Sequence, residues 1–206
     1  MPPIPGAERD FVFSGDDMRN LVLGQNLDAL AAKTSPGTRL AMKLGKMTGL
    51  TKRLPLLRLG SKAWMPLGEH VVIIGGELVG LELAEFLAHR GRKVTVLEES
   101  PRVGKGIPLV RRFRAVDDCH DLGVAMLTET SNFRIGEQSV TYSNAHGQER
   151  TLRADTVIVA MGATGDESLA DQMKAAGLPV HAIGDCTGVG YIEGAMRDAA
   201  LATRTI

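Results

Sequence analysis

The chain has 206 residues, 44% of them hydrophobic, 23% charged and 4% aromatic, with 24 Lys+Arg against 24 Asp+Glu. That is enough for one core or two small ones, while a formal net charge of zero and so few rings argue against a nucleic-acid partner, which needs a positive field and stacking platforms. Cys119 and Cys186 suffice for neither a disulfide framework nor a multi-cysteine metal or iron–sulfur site. The proline-rich start also lacks a leader's basic and apolar regions, so a reducing, cytoplasmic setting is expected.

Residues 1–28 open with turn formers and continue into Ser14-Gly15-Asp16-Asp17, where Ser14 or Asp16 suits the cap of a short helix through Met18, Leu21 and Val22. This reads as a connecting arm. No acidic residue lies between Asp28 and Glu69, whereas Lys33, Arg39, Lys43, Lys46, Lys52, Arg53, Arg58 and Lys62 do. Leu40, Leu44 and Met47, then Leu50, Leu54 and Leu57, repeat at helical spacing, which predicts two short amphipathic helices ending near Trp64-Met65-Pro66.

From residue 70 strands alternate with helices. The apolar, β-branched run His70–Ile74 suits a strand covered on both faces. A helix follows from the glycines to Arg90-Gly91, then a strand Lys93–Glu98, a helix Leu109–Leu122 and a strand Gly123–Leu127. This spacing predicts parallel βαβ units, hence an α/β fold. The period then drops to two over Asn132–Ile135, Ser139–Ser143 and Gln148–Arg153, which predicts a three-stranded meander. A buried strand over Asp155–Gly162, a helix Asp166–Ala176, a strand Val180–Ile183 and a helix Ile192–Arg204 complete the expectation.

Two junctions carry chemistry. Gly75-Gly76-Glu77-Leu78-Val79-Gly80 lies between a strand and a helix, with Glu98 at the end of the next strand, eighteen residues after Gly80. In a dinucleotide site the first glycine makes the turn, the second admits the pyrophosphate, the third lets helix and strand pack, and an acidic residue on the next strand takes the ribose hydroxyls. Gly75 and Gly80 stand in the first and third places, and Glu77 departs from the second, where a side chain crowds the phosphates. Glu98 would repel a 2′-phosphate, which favours NAD(H) over NADP(H). The alternative is a βαβ unit whose glycines serve packing alone. The second junction is Val180-His181-Ala182-Ile183-Gly184-Asp185, which brings a carboxylate to the end of an expected strand before the last helix.

The stretch His70–Glu99, most strongly at IIGGELVGLELAEFLAHRGRKVTVLEE, and the stretch AIGDCTGVGYIEGAMRDAA near the end resemble the C-terminal region of the NADH:flavin oxidoreductases related to 2,4-dienoyl-CoA reductase and trimethylamine dehydrogenase. The resemblance implies a two-dinucleotide-binding flavoprotein with a Rossmann-like sheet and β-meander. Residues 66–162 would be the NAD(H) domain, 163–206 the C-terminal part of an incomplete FAD domain, and 1–65 a connecting arm with a basic helical insertion. Gly162 would mark the crossing between domains, Asp185 would hydrogen-bond the FAD ribitol, and Tyr191-Ile192 would open the helix facing the isoalloxazine. The family's FMN barrel, iron–sulfur cysteines and first FAD βαβ unit have no counterpart in this sequence. The resemblance therefore implies that these parts lie on the parent chain or a partner subunit, and that the exposed surface invites a partner or a second copy.

Other residues have blander readings. Cys186 next to Asp185 reads as a small hydrophobe rather than a redox thiol, and Cys119-His120 among Asp117, Asp118 and Asp121 as a solvated helix face rather than a metal site. His89-Arg90 complements a helix C-terminus, and Tyr191 either donates to a flavin or packs. The basic segment 33–62 is read as a solvated insertion, with a docking surface for a missing domain or a CoA-type phosphate, or an interfacial membrane helix, as alternatives.

Overall fold

A computed structural model of the chain describes residues 3–15, 17, 18, 33, 67–162 and 165–204. The two basic helices expected between Leu40 and Leu57, the Trp64 segment, and Leu21 and Val22 lie outside these residues. The chain forms two compact units, Met1–Met161 and Gly162–Ile206.

The first unit is built on a five-stranded parallel sheet. Its strands are β1 (Val12–Ser14), β2 (His70–Ile74), β3 (Lys93–Leu97), β4 (Ala125–Leu127) and β8 (Thr156–Val159), in the order β1-β8-β2-β3-β4. Helix α1 (Leu78–Ala88) links β2 to β3 and α2 (Leu109–Asp121) links β3 to β4. A separate antiparallel sheet, β5 (Ser131–Ile135), β6 (Ser139–Ser143) and β7 (Glu149–Arg153), is the expected meander. The central segments Val71–Ile74 and Val157–Val159 read as unbroken apolar runs because both faces are covered. Val71, Ile73 and Ile158 pack with Leu81, Ala84, Leu87 and Ala115 of the helices. Val72, Ile74, Val157 and Val159 pack with Phe133, Ile135, Val140 and Tyr142 of the meander. Full burial of each such aliphatic side chain contributes about 1.5–3 kcal/mol.

Both helices stop on a left-handed glycine. Gly91 has φ +75° and Gly123 φ +73°, and the chain closes back through Arg92 N–H to the Leu87 carbonyl and Val124 N–H to the Cys119 carbonyl. Asp155 ties the bottom of the sheet together. Its Oδ2 accepts from the His70 backbone N–H at 2.9 Å and faces His70 Nδ1 at 3.0 Å, and its Oδ1 accepts from Arg153. The His70 N–H and the neighbouring charges hold its carboxyl down at about 2.

Three differences from the sequence reading have physical causes. Val12–Ser14, read as part of an arm, pairs in parallel with Val157–Val159 and is a strand of the main sheet. Three residues are too few to show a period, and Ser14 ends the run by a reciprocal bond with Asp17, each backbone N–H donating to the other's side chain. Val180–Ile183 is not a strand, because no described residue of the second unit offers it a ladder partner. Thr156–Val159 is shorter than the expected Asp155–Gly162, since beyond Ala160, whose N–H donates to the Ile74 carbonyl, the chain leaves the sheet.

The second unit comprises α3 (Ser168–Ala175), a 3-10 turn Gly184–Cys186 and α4 (Tyr191–Ala202). Among its described residues only Gly184 and Gly194 are buried, and Leu169, Met173, Leu178, Ile183, Ile192 and Met196 are exposed. This unit has no apolar core of its own.

Candidate functional site

Strand order decides where a ligand can sit. The chain runs outward from β2 to β3 and β4, then returns to place β8 on the other side of β2. The order reverses between β2 and β8, and in open α/β sheets that reversal opens a crevice at the strands' carboxyl ends.

The Gly75–Gly80 turn lies there. Gly75, at φ +110°, passes so close to the end of β8 that a Cβ on it would lie 2.6 Å from the Ala160 carbonyl oxygen. A Cβ on Gly80 would lie 1.9 Å from the Gly75 carbonyl oxygen, so the third glycine does what the motif requires, letting helix pack on strand. Gly76 is confined from a different side, by Val103 and by Glu98 itself. Helix α1 starts at Leu78 with Glu77 as N-cap, and its first intrahelical bond is from Leu81 N–H to the Glu77 carbonyl. The N–H groups of Leu78, Val79 and Gly80 precede that bond and carry the positive end of the helix dipole. The Glu77 side chain makes no cap bond and is exposed.

Glu98 is 8% exposed and follows β3 at the same edge. Its Oε2 accepts from Gly76 N–H at 2.6 Å and its Oε1 from Ser100 N–H at 2.8 Å. A carboxylate has about four lone-pair sites, so both oxygens keep capacity for the two hydroxyls of a ribose. Gly76 N–H is thereby committed to Glu98, which leaves the helix start as the donor of phosphate contacts. The loop after Glu98 straps the glycine turn from above. Gly104 N–H donates to the Gly76 carbonyl at 2.7 Å, and Arg112 reaches back from α2 to the Val103 carbonyl at 2.8 Å. Beside the strap, Glu99 lines a groove of about 630 Å³ with Pro3, Pro5, Phe133, Arg134 and Met161. The residues expected to hold NAD(H), Gly75, Gly76, Glu77, Leu78, Val79, Gly80 and Glu98, therefore stand together in one unit. A narrow glycine turn, uncapped helix N–H groups and a buried carboxylate at the end of the next strand fit that cofactor.

The residues expected at the flavin stand in the second unit. Gly162, at φ +63°, opens it. Asp185 Oδ1 accepts from Gly190 N–H and Tyr191 N–H, both at 3.0 Å, and so caps the start of α4. Tyr191 adopts φ +56°, Gly184 N–H donates to Asp198 Oδ2 at 3.2 Å, and Ile192 is 80% exposed. One Asp185 oxygen is spent on the helix cap, leaving the other with lone pairs toward solvent.

Cys119 is fully buried on α2, where burial and the nearby Glu85 and Asp118 push its thiol up to about 11. His120 is exposed, so the two share no site. Sequence reasoning did not single out the strap from Gly104, the Arg112 tether or Thr130, which bonds to Glu98. The paired glycines Gly104 and Gly106 were the available signal for a tight strap; the Thr130 contact is non-local and carries no sequence signal.

Residues 39–203 match the family described as pyridine nucleotide-disulphide oxidoreductase. An NADH oxidase of Thermoanaerobacter brockii is 33% identical over 126 residues, covering 60% of this chain and 19% of that protein. A bilirubin reductase of Mediterraneibacter gnavus is 34% identical over 116 residues, covering 56% and 18%. A solved 2-naphthoyl-CoA reductase, complexed with 2-naphthoyl-CoA, is 25% identical with a TM-score of 0.65 and covers 96% of this chain and 24% of that one. A histamine dehydrogenase from Rhizobium sp. 4-9, at 20% identity and a TM-score of 0.58 over 68% of this chain, shares the fold. The chain spans less than a fifth of the two curated relatives' length. The family match spans well over half of the sequence: the chain belongs to the pyridine nucleotide-disulphide oxidoreductase family, whose members use FAD and NAD(H).

Proposed function

We propose that this chain is the pyridine-nucleotide arm of a flavin-dependent reductase, holding NADH at Gly75–Gly80 and Glu98 and presenting it to an FAD shared with a segment outside the 206 residues. The observation that carries the reading is the buried Glu98 carboxylate at the end of β3, 2.6 Å from Gly76 N–H of the glycine turn. When bound, NADH supplies the hydride and FAD the acceptor, so the protein's part is orientation. Leu78 and Val79 N–H would hold the pyrophosphate and Glu98 would accept from the ribose, while Asp185 and the start of α4 would hold part of the FAD. The exposed Ile192 and Met196 of the second unit support completion by further polypeptide, and the resemblance supports a first FAD βαβ unit and an FMN-bearing barrel, on the parent chain or a partner subunit, as that polypeptide. The resemblance supports an enone- or dienoyl-CoA-type centre as the destination of the electrons.

Glu77 in the second glycine place favours a second reading, a non-catalytic module that keeps the fold for assembly. The visible spectrum of the purified protein, with acid release of bound nucleotide and NADH addition, separates the two. FAD released from a spectrum that NADH bleaches supports the reductase arm. A colourless protein that neither releases nor binds a dinucleotide supports the assembly module.

A further inference from the structure

Glu98 is held by more than the two donors to its carboxylate. Its backbone N–H donates to the Leu127 carbonyl at 2.9 Å, and its carbonyl oxygen accepts twice from one residue, Thr130, through the backbone N–H at 3.0 Å and the hydroxyl Oγ1 at 2.9 Å. Thr130 is 1% exposed and comes immediately after Glu129, whose left-handed φ of +55° turns the chain back toward the end of β3. Glu129 N–H closes the same turn on the Ser100 carbonyl at 3.1 Å. A buried hydroxyl needs a partner, but many acceptors would satisfy one. This one is spent on the peptide that carries the carboxylate, saturating both lone pairs of its oxygen.

We infer that Thr130 is a positioning residue for nucleotide binding: its hydroxyl fixes the backbone of Glu98, and through it the aim of the carboxylate at the ribose 2′-hydroxyl. The inference rests on Glu98 being the ribose acceptor. The consequence is specific. Removing the hydroxyl loosens the Glu98 peptide about an intact side chain, so the protein retains its affinity for the phosphates and loses discrimination at the ribose. A residue that served packing alone would weaken all nucleotides together.

The test is calorimetric titration of the full chain with ADP and with 2′-deoxy-ADP, on the wild type and on Thr130→Val, Thr130→Ser and Glu98→Ala, with thermal melts to establish folding. The wild type is expected to prefer ADP, Glu98→Ala to show no preference, and Thr130→Val to lose about threefold to tenfold of the preference, the worth of one modest hydrogen bond. Thr130→Ser, which keeps the hydroxyl, is expected to restore it. Thr130→Ala serves in place of the valine variant if that one does not fold. An unchanged preference in folded Thr130→Val beside a lost preference in Glu98→Ala overturns the Thr130 role while leaving the Glu98 reading intact. An unchanged preference in folded Glu98→Ala overturns both.

Discussion

Adding one methyl group at Gly80 tests whether the glycine turn is built as described. The Cβ of Gly80→Ala would lie 1.9 Å from the Gly75 carbonyl oxygen and 3.0 Å from its carbon. An ordinary carbon–oxygen contact is about 3.3 Å, so one side must give way by about 1.4 Å. Gly75 cannot supply the movement, because its N–H is fixed to the Leu97 carbonyl at 2.8 Å and its own approach to Ala160 has no slack. Helix α1 must therefore retreat from β2, partly unpacking the fully buried Leu81, Ala84 and Leu87. Overpacking of a core typically costs 1–3 kcal/mol, and a clash between backbone-fixed atoms belongs at the upper end, about 3 kcal/mol. In urea the midpoint should fall by about 1–2 M at a typical slope, with loss of NADH binding. Gly91→Ala is the comparison. Its added Cβ meets nothing within 4 Å, and it carries only the strain of φ +75°, about 1 kcal/mol. A Gly80→Ala midpoint equal to the wild type's, or no lower than that of Gly91→Ala, would refute the close-packed turn.

Three further outcomes follow from the same geometry. Because the Glu77 side chain is exposed and makes no cap bond, Glu77→Gly should change the NADH dissociation constant by less than about threefold; a fall to about a tenth of the wild-type value or lower would show that Glu77 blocks the site. Asp155, held at about 2, has a folded-state pKa below its unfolded value near 3.8, so its contribution is full above pH 4 and lost as pH falls toward 2. Melting temperature against pH should therefore drop in that window in the wild type, and Asp155→Asn should be less stable at pH 7 and flatter between pH 4 and 2; parallel curves would contradict the assignment. Buried Cys119, with its thiol pushed up to about 11, should resist a thiol reagent at pH 8 while Cys186 reacts, and equal rates in the folded protein would contradict its burial.

Much of the first unit was legible because the two faces of the sheet are covered. Val71 to Ile74 and Val157 to Val159 form unbroken apolar runs, and the switch to alternation at Ser139–Ser143 marks the meander. The glycine turn and Glu98 were legible from their spacing at the strand ends, although the close approach that demands glycine at Gly75 is to Ala160, far along the chain. What escaped depends on partners distant in sequence. Strand β1 exists because Val157–Val159 offers it an edge, and Thr130 matters because β4 returns beside β3. Val180–Ile183 shows the converse, a strand-like run with no neighbour among the described residues to pair with. At Asp185 the sequence indicated a carboxylate before a helix, and the structure shows one oxygen already serving as that helix's cap.

Direct titration of NADH and NADPH into the purified chain, with Glu98→Ala in parallel, bears most immediately on the central claim. The account predicts one saturable NADH site per chain, NADPH binding weaker by about tenfold or more through repulsion between its 2′-phosphate and Glu98, and weakened NADH binding with loss of that discrimination in Glu98→Ala. A folded protein with no saturable NADH binding, or one that binds NADH and NADPH equally with Glu98 intact, would contradict it.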